Sequence, residues 1–286
     1  MTRVAILIAS HISYDGHINL LDKCLLSLLE QSLEPKSIYI SISFKYEKYK
    51  TDFKNILQKY GRRTNPKIIF KISKEQRYQM EHLHNIVFNI DINDYDMLMF
   101  CDDDDTYHYH RVSMFVSAFN NGKDTFTENF GGVKECQKKE NNVTIIQNAE
   151  YWCYGVLPSV IVEFFNLFEG EYYRLLQHKF GDLYFRRYLS RNSKYSNYIG
   201  IKQEYYDFPL YNYNENLNSI CGLRERYMAE HDMVPTYEIV MDSILSRVLD
   251  CNTESDFDDI MEKSKLNYVD TCNFKYIYNV CKLLCK

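Results

Sequence analysis

Four aspartates, Asp102–Asp105, follow directly on the apolar run Met97-Leu98-Met99-Phe100-Cys101. Adjacent carboxylates repel one another and must be compensated. On a solvated tail that compensation comes from water. Here the run leaves an apolar strand, so its backbone is held at the rim of a core. A hard divalent cation, Mn²⁺ or Mg²⁺, removes the repulsion, takes oxygen ligands from such carboxylates and accepts substrate phosphates as further ligands. Alternate residues of an extended segment point the same way, so Asp102 pairs with Asp104 and Asp103 with Asp105. Either pair can face a cleft. An acidic loop or helix start without metal is the plainer alternative.

Other residues could join this chemistry. Arg77, in Lys74-Glu75-Gln76-Arg77-Tyr78, suits a phosphate or a ribose, or else a solvated helix start. Trp152 and Tyr154 could stack on a bound ligand or pack in the core. Nine cysteines, an odd number in a long chain with several in apolar segments, read as buried thiols and not as a disulfide framework.

These residues need a scaffold. Val4–Ala9 is a continuous apolar run, as in a central parallel strand. Leu20, Leu21, Cys24, Leu25, Leu28 and Leu29 recur at helical spacing, and Pro35 ends that helix. Ile38–Ser43, Lys67–Ile72 and Met97–Cys101 read as strands, separated by helices over Phe44–Lys59 and around Met80–Ile90. The alternation implies right-handed crossovers and a mostly parallel α/β sheet with flanking helices. Ligands of such sheets bind at the carboxyl ends of strands. Two positions lie there: the loop after Ala9 and Ser10, and the acidic run. Further on, His110–Phe119, Ser159–Phe168 and most of Glu171–Arg191 read as helical, Phe130–Gly132 and Val143–Gln147 as strand pieces. Asn192–Asn218, rich in Tyr and Asn, carries no clear period. After Pro235 the pattern is helical again. The expected division is a domain over 1–234 and a helical C-terminal appendage over 235–286 that packs on it.

Composition excludes several classes. A net charge of −5 argues against a nucleic-acid binder, which needs a basic face. There is no glycine-rich phosphate loop of Walker type, no apolar run long enough for a membrane span or a signal segment, and a 45% hydrophobic content is enough for a sizeable core. A soluble, cytoplasmic protein is the expectation.

The segment Phe100-Cys101-Asp102-Asp103-Asp104-Asp105 resembles the Asp-x-Asp (DXD) segment of GT-A glycosyltransferases, particularly the family 2-like group, in which a hydrophobic strand ends in Phe-Leu-Asp-x-Asp-Asp. The match places Asp102 and Asp104 on the family's pair, with Asp103 and Asp105 as the other register. The opening strand, the following loop and a helix ending Ser27-Leu28-Leu29-Glu30-Gln31 are similar to the family's nucleotide-binding start. Tyr151–Gly155 looks like its acceptor-side segment, and His178–Leu189 resembles the segment in which an Asp opens a helix and acts as base. Together the similarities span roughly residues 1–190. The resemblance implies a transferase that moves a sugar from a nucleoside-diphosphate-sugar, UDP-sugar favoured over GDP-sugar, to a hydroxyl of a glycan, protein or small molecule, with inversion. It implies Asp102 and Asp103 near the nucleotide, Asp104 with Asp102 on the metal, His231 as a further ligand, and Asp182 as base. Asp182 after Gly181 also suits an ordinary helix cap. The family's acid at the end of the second strand is missing, since Ile38–Ser43 runs into Phe44-Lys45. The competing readings are a metal-dependent phosphoryl-transfer enzyme, whether nucleotidyltransferase or nuclease, and an inactive nucleotide-sugar-binding module.

Overall fold

The computed structural model describes residues 2–126, 128–136, 150–178, 181–202, 209–214, 228, 237–251 and 253–283. The chain divides into two compact units, Met1–Asn214 and Glu215–Lys286. The expected boundary between 234 and 235 falls outside the described residues, as do Val143–Gln147 and His231.

The first unit is built on β1 (Val4–Ile12), α1 (His17–Leu29), β2 (Ser37–Phe44), α2 (Glu47–Tyr60), β3 (Lys67–Ile72), α3 (Gln79–Val87) and β4 (Met97–Asp102). Then come β5 (Thr106–Tyr107), α4 (Arg111–Thr125), β6 (Phe130–Cys136), β7 (Tyr154–Val156), α5 (Pro158–Asn166), α6 (Gly181–Arg191), β8 (Asn197–Lys202) and β9 (Tyr211–Asn212). A seven-stranded sheet runs in the order β3-β2-β1-β4-β7-β6-β8, and β5 pairs with β9 separately. β1 lies parallel to both β2 and β4, and β2 is parallel to β3. β7 runs antiparallel to β4 and β6, which makes the sheet mixed. The expected α/β architecture, mostly parallel with flanking helices, is the observed one.

Burial explains the order. Val4 to Ser10 of β1 are all buried, so this strand needs neighbours on both edges and cover on both faces. β3 carries lysine at positions 67 and 71 and exposes its ends, as an edge strand should. The Leu21, Cys24, Leu25 and Leu28 stripe of α1 is fully buried. Cys24, Cys101 and Cys153 are buried thiols, as expected. The mostly helical reading of Glu171–Arg191 resolves into a short 3₁₀ helix over Gly170–Leu175 and α6.

The second unit holds α7 (Tyr237–Asp250), α8 (Glu254–Ser264) and α9 (Tyr268–Leu283). Thr253 caps α8 through a reciprocal pair of bonds with Asp256, the arrangement that satisfies two orphan backbone donors. Phe257 stacks on Tyr278 at 4.9 Å and seats α8 on α9. No helix among the described residues is long and apolar enough to cross a membrane.

Candidate functional site

Strand order places the site. From β1 the chain turns one way to β2 and β3, while β4 joins the other side of β1. The crevice at such a switch point opens at the carboxyl ends of the two central strands. Ala9 pairs with Asp102 across it, and Ser10 Oγ donates to Asp103 Oδ2 at 2.5 Å. The two stretches expected to face a ligand are therefore brought together.

The acidic turn is fastened from behind. Ser27 Oγ accepts from the Tyr107 amide at 3.0 Å. Gln31 donates to the His108 carbonyl at 2.9 Å and accepts from the Val112 amide at 3.0 Å. The Ser27–Gln31 motif of α1 is thus a brace for the segment that follows the aspartates. Tyr107 OH donates to the Phe100 carbonyl at 2.5 Å and closes the turn on β4.

The four carboxylates have four surroundings. Asp102 Oδ1 accepts from Tyr151 OH and, at 2.8 Å, from Gln79 Nε2, and its amide donates to Tyr211 OH at 3.0 Å. Burial, then the charges of its fellow aspartates, holds its pKa well above the carboxylate range. Asp103 is desolvated too, but His17 Nε2 lies 3.0 Å away and, with Ser10, outweighs burial and lowers its pKa. Gly16, at φ 91°, turns the chain into α1 so that His17 meets Asp103, with Tyr14 stacked on the imidazole at 4.5 Å. Asp104 is half-buried beside them. Asp105 points inward: it is fully buried, takes the Asn214 amide at 2.7 Å, and burial raises its pKa to about 7.

This turn suits a hard cation. Two of its carboxyls resist ionisation, first because they are buried and then because their neighbours are negative, and Asp105 Oδ2 is buried with no hydrogen-bond partner among the described residues. The donor set is oxygen, as Mg²⁺ and Mn²⁺ prefer. Among the described residues no three His, Cys, Asp or Glu side chains converge on one point. Protein ligands would therefore be few, with diphosphate oxygens completing the shell.

Asp182 lies in the first turn of α6. Its Oδ1 is buried and finds no hydrogen-bond partner among the described residues. Burial and then Glu150 raise its pKa to about 7, against Arg186 and the amides of Asp182 and Leu183. The amide contacts retain part of the expected capping role. Tyr151 carries the link to the acidic turn, since its phenol is raised by burial first and then by both Asp102 and Asp182.

Other expected residues fall differently. Arg77 is half-buried, and its amide donates to Ser43 Oγ at 3.4 Å. Trp152 is 7% exposed and stacks on Tyr211 at 4.0 Å, while Tyr154 is 1% exposed with Tyr198 edge-on at 5.1 Å. Both rings pack in the core. His17, Gln79, Tyr151 and the pair Ser43 and His82 were missed in the sequence. Gly16-His17 at a helix start after a strand-end loop was a usable signal; for Gln79 the sequence offers none. A cavity of about 530 Å³ between α1 and α2 is lined by Asp15, Asn19, Asp52 and Lys59 among others, and the acidic turn is not part of its wall.

Beneath the mouth lies a buried polar chain. His82 is 1% exposed, with Nδ1 at 2.8 Å from Ser41 Oγ and Nε2 at 2.9 Å from Ser43 Oγ. Burial first, then the charge of Arg77, lowers its pKa from 6.5 to about 3. It stays neutral in the fold while an unfolded chain takes up a proton. Stability from this residue is whole above pH 6.5 and is lost as pH falls toward about 3. In urea titrations stability therefore declines by roughly 1.4 kcal/mol per pH unit through that window. His82→Gln removes that slope; an unchanged slope in the variant refutes the assignment.

No protein-family model matches the chain. No curated protein matches it either. Among solved structures, it is similar to S. aureus TarS 1-349 in complex with UDP, at a TM-score of 0.53 and 10% identity over 99% of this chain and 89% of that one. TarS 1-349 in complex with UDP-GlcNAc gives 0.51 and 12% over 91% and 71%. Against the longer TarS structure the TM-score is 0.48, and the match spans 42% of that chain. The fold of the chain is that of TarS.

Proposed function

We propose that this protein is a metal-dependent glycosyltransferase that moves a sugar from a nucleoside-diphosphate-sugar to a hydroxyl acceptor, with inversion. The observation that carries the reading is the four-carboxylate turn at the switch point of a sheet shared with UDP-bound and UDP-GlcNAc-bound TarS. A UDP-sugar is the donor that this likeness favours. The acceptor class, whether glycan, protein or small molecule, is left open by the residues at hand.

Asp104 and Asp102 are the residues that would hold the ion, the second through the oxygen not taken by Tyr151 and Gln79. Mn²⁺ or Mg²⁺, when bound, offsets the charge that grows on the departing diphosphate. Ser10 and His17 fix Asp103 so that its charge is placed before the donor arrives. Tyr151 and Gln79 do the same for Asp102. Asp182 takes the proton of the acceptor hydroxyl, which then attacks the face of the sugar opposite the leaving group. A carboxylate with a pKa near 7 is well matched to that task at neutral pH.

Thermal unfolding tests the donor site. At a UDP concentration about 100 times its Kd with Mn²⁺, stability rises by about 2.7 kcal/mol, or about 5–10 °C in melting temperature. GDP with Mn²⁺ gives less. Asp104→Ala removes the Mn²⁺-dependent part and leaves the melting temperature without nucleotide close to that of the wild type. A shift that ignores both the ion and this substitution sinks the proposal.

A further inference from the structure

The polar chain under the crevice has a direction that can be read atom by atom. Asn89 Nδ2 lies 2.8 Å from the Asn85 carbonyl, which only accepts, so this atom is the amide's donor end. The same Nδ2 lies 3.3 Å from the Asn85 side chain, which must therefore show it an oxygen. Asn85 then turns its own NH₂ to Ser41 Oγ at 3.3 Å. Ser41 is 0% exposed, so its hydroxyl hydrogen needs an acceptor, and His82 Nδ1 at 2.8 Å is the one at hand. Neutral His82 must then carry its hydrogen on Nε2 and donate to Ser43 Oγ. Ser43 Oγ also accepts the Arg77 amide, which fills both its lone pairs. Ser43, likewise 0% exposed, gives its hydrogen to His11 Nδ1 at 2.8 Å. The opposite direction would leave the buried Ser41 hydrogen without an acceptor. His11 is thereby set as the Nε2–H tautomer.

His11 stands on β1 at the β2 side of the crevice, opposite Ser43 in the strand register. It is half-buried, and its Nε2 has no hydrogen-bond partner among the described residues. A ligand whose diphosphate sits at the acidic turn on the β4 side reaches His11 when its other end extends toward β2. We infer that His11 is a specificity-determining residue whose fixed Nε2–H donates to a carbonyl on the edge of a pyrimidine base, so that the site takes uridine and rejects cytidine nucleotides. Uracil offers a carbonyl oxygen where cytosine offers an amino group. Against His11 the amino group leaves two donors facing each other, both unpaired and both desolvated, which costs about tenfold in affinity or more.

The assignment rests on the nucleotide-sugar reading, and the test separates the two. Calorimetry with Mn²⁺ measures UDP and CDP binding to the full chain and to His11→Phe, which keeps a ring and loses the donor. The wild type binds UDP at least ~10-fold more tightly than CDP, and His11→Phe brings the two within about twofold by weakening UDP. If the wild type shows no preference, or the variant keeps it, His11 does not read the base and the nucleotide reading stands. If neither nucleotide binds the wild type, both fall. Imidazole ¹⁵N spectra give a readout that needs no ligand. They should show His11 as the Nε2–H tautomer, and Ser43→Ala should release that preference. A Nδ1–H tautomer in the wild type overturns the inference.

Discussion

Asp182→Asn lowers turnover of a UDP-sugar by about 10³-fold, within the range that positioned proton transfer contributes, and leaves UDP binding within about twofold. The asparagine keeps the size of the side chain and its place in the first turn of α6 but cannot accept a proton. The pH profile follows from the direction of the shift. With a pKa raised to about 7, the carboxyl is protonated and idle below that pH, so kcat climbs through neutrality and levels off above it. The residual activity of the variant lacks that inflection. Linkage gives a second, independent readout. A raised carboxyl pKa means the fold binds the proton more tightly than the unfolded chain, so stability from Asp182 is greatest below pH 3.8 and is lost as pH rises to about 7. Asp182→Asn should therefore be more stable than the wild type at alkaline pH, by on the order of 1–2 kcal/mol, because the side chain keeps part of its surface in water. Near-normal turnover in the variant, or a wild-type profile that is flat around pH 7, excludes Asp182 as the base.

Arg111→Met destabilises the first unit by about 3–5 kcal/mol, the usual cost of leaving one partner of a buried pair alone. Arg111 is 0% exposed and donates to Glu135, itself 2% exposed, and to the Trp152 carbonyl at 2.9 Å. Its guanidinium lies 4.7–4.9 Å from the ring centres of Tyr107, Phe115 and Tyr211. Methionine fills much of the volume but leaves the Glu135 charge in a low-dielectric core. Trp152 is the only tryptophan of the chain, so its fluorescence follows the very segment that Arg111 holds. The transition should fall by on the order of 10 °C. Arg111→Met with Glu135→Leu recovers most of the loss, since neither charge is then buried unpaired. A single variant within about 1 kcal/mol of the wild type shows that the pair carries no such weight.

The parallel half of the sheet was legible because each of its strands is a short apolar run bounded by a helix of clear period. The run Lys67–Ile72 coincides with β3 at both ends, and the acidic run begins where β4 stops. What failed to show in the sequence depends on distant partners. β8 and β9 lie in the Tyr- and Asn-rich stretch, where strand identity comes from pairing with β6 and β5 and not from alternation. Trp152 beside the site reads as a platform for sugar until Tyr211, remote in sequence, covers its face. The division of labour among four identical aspartates is equally hidden. It is set by Ser10, His17, Gln79, Tyr151 and the Asn214 amide, which come from five different parts of the fold.

Asp105 gives the acidic turn a mechanical side. Its inward carboxyl grips the amide of Asn214, the last residue of the first unit, so the point where the chain departs is knotted to the same loop that gathers negative charge. Burial, and with it the charges of Asp104 and Asp103, sets how readily that carboxyl ionises, so the bond that ties down the end of the first unit depends on the electrical balance of the crevice mouth.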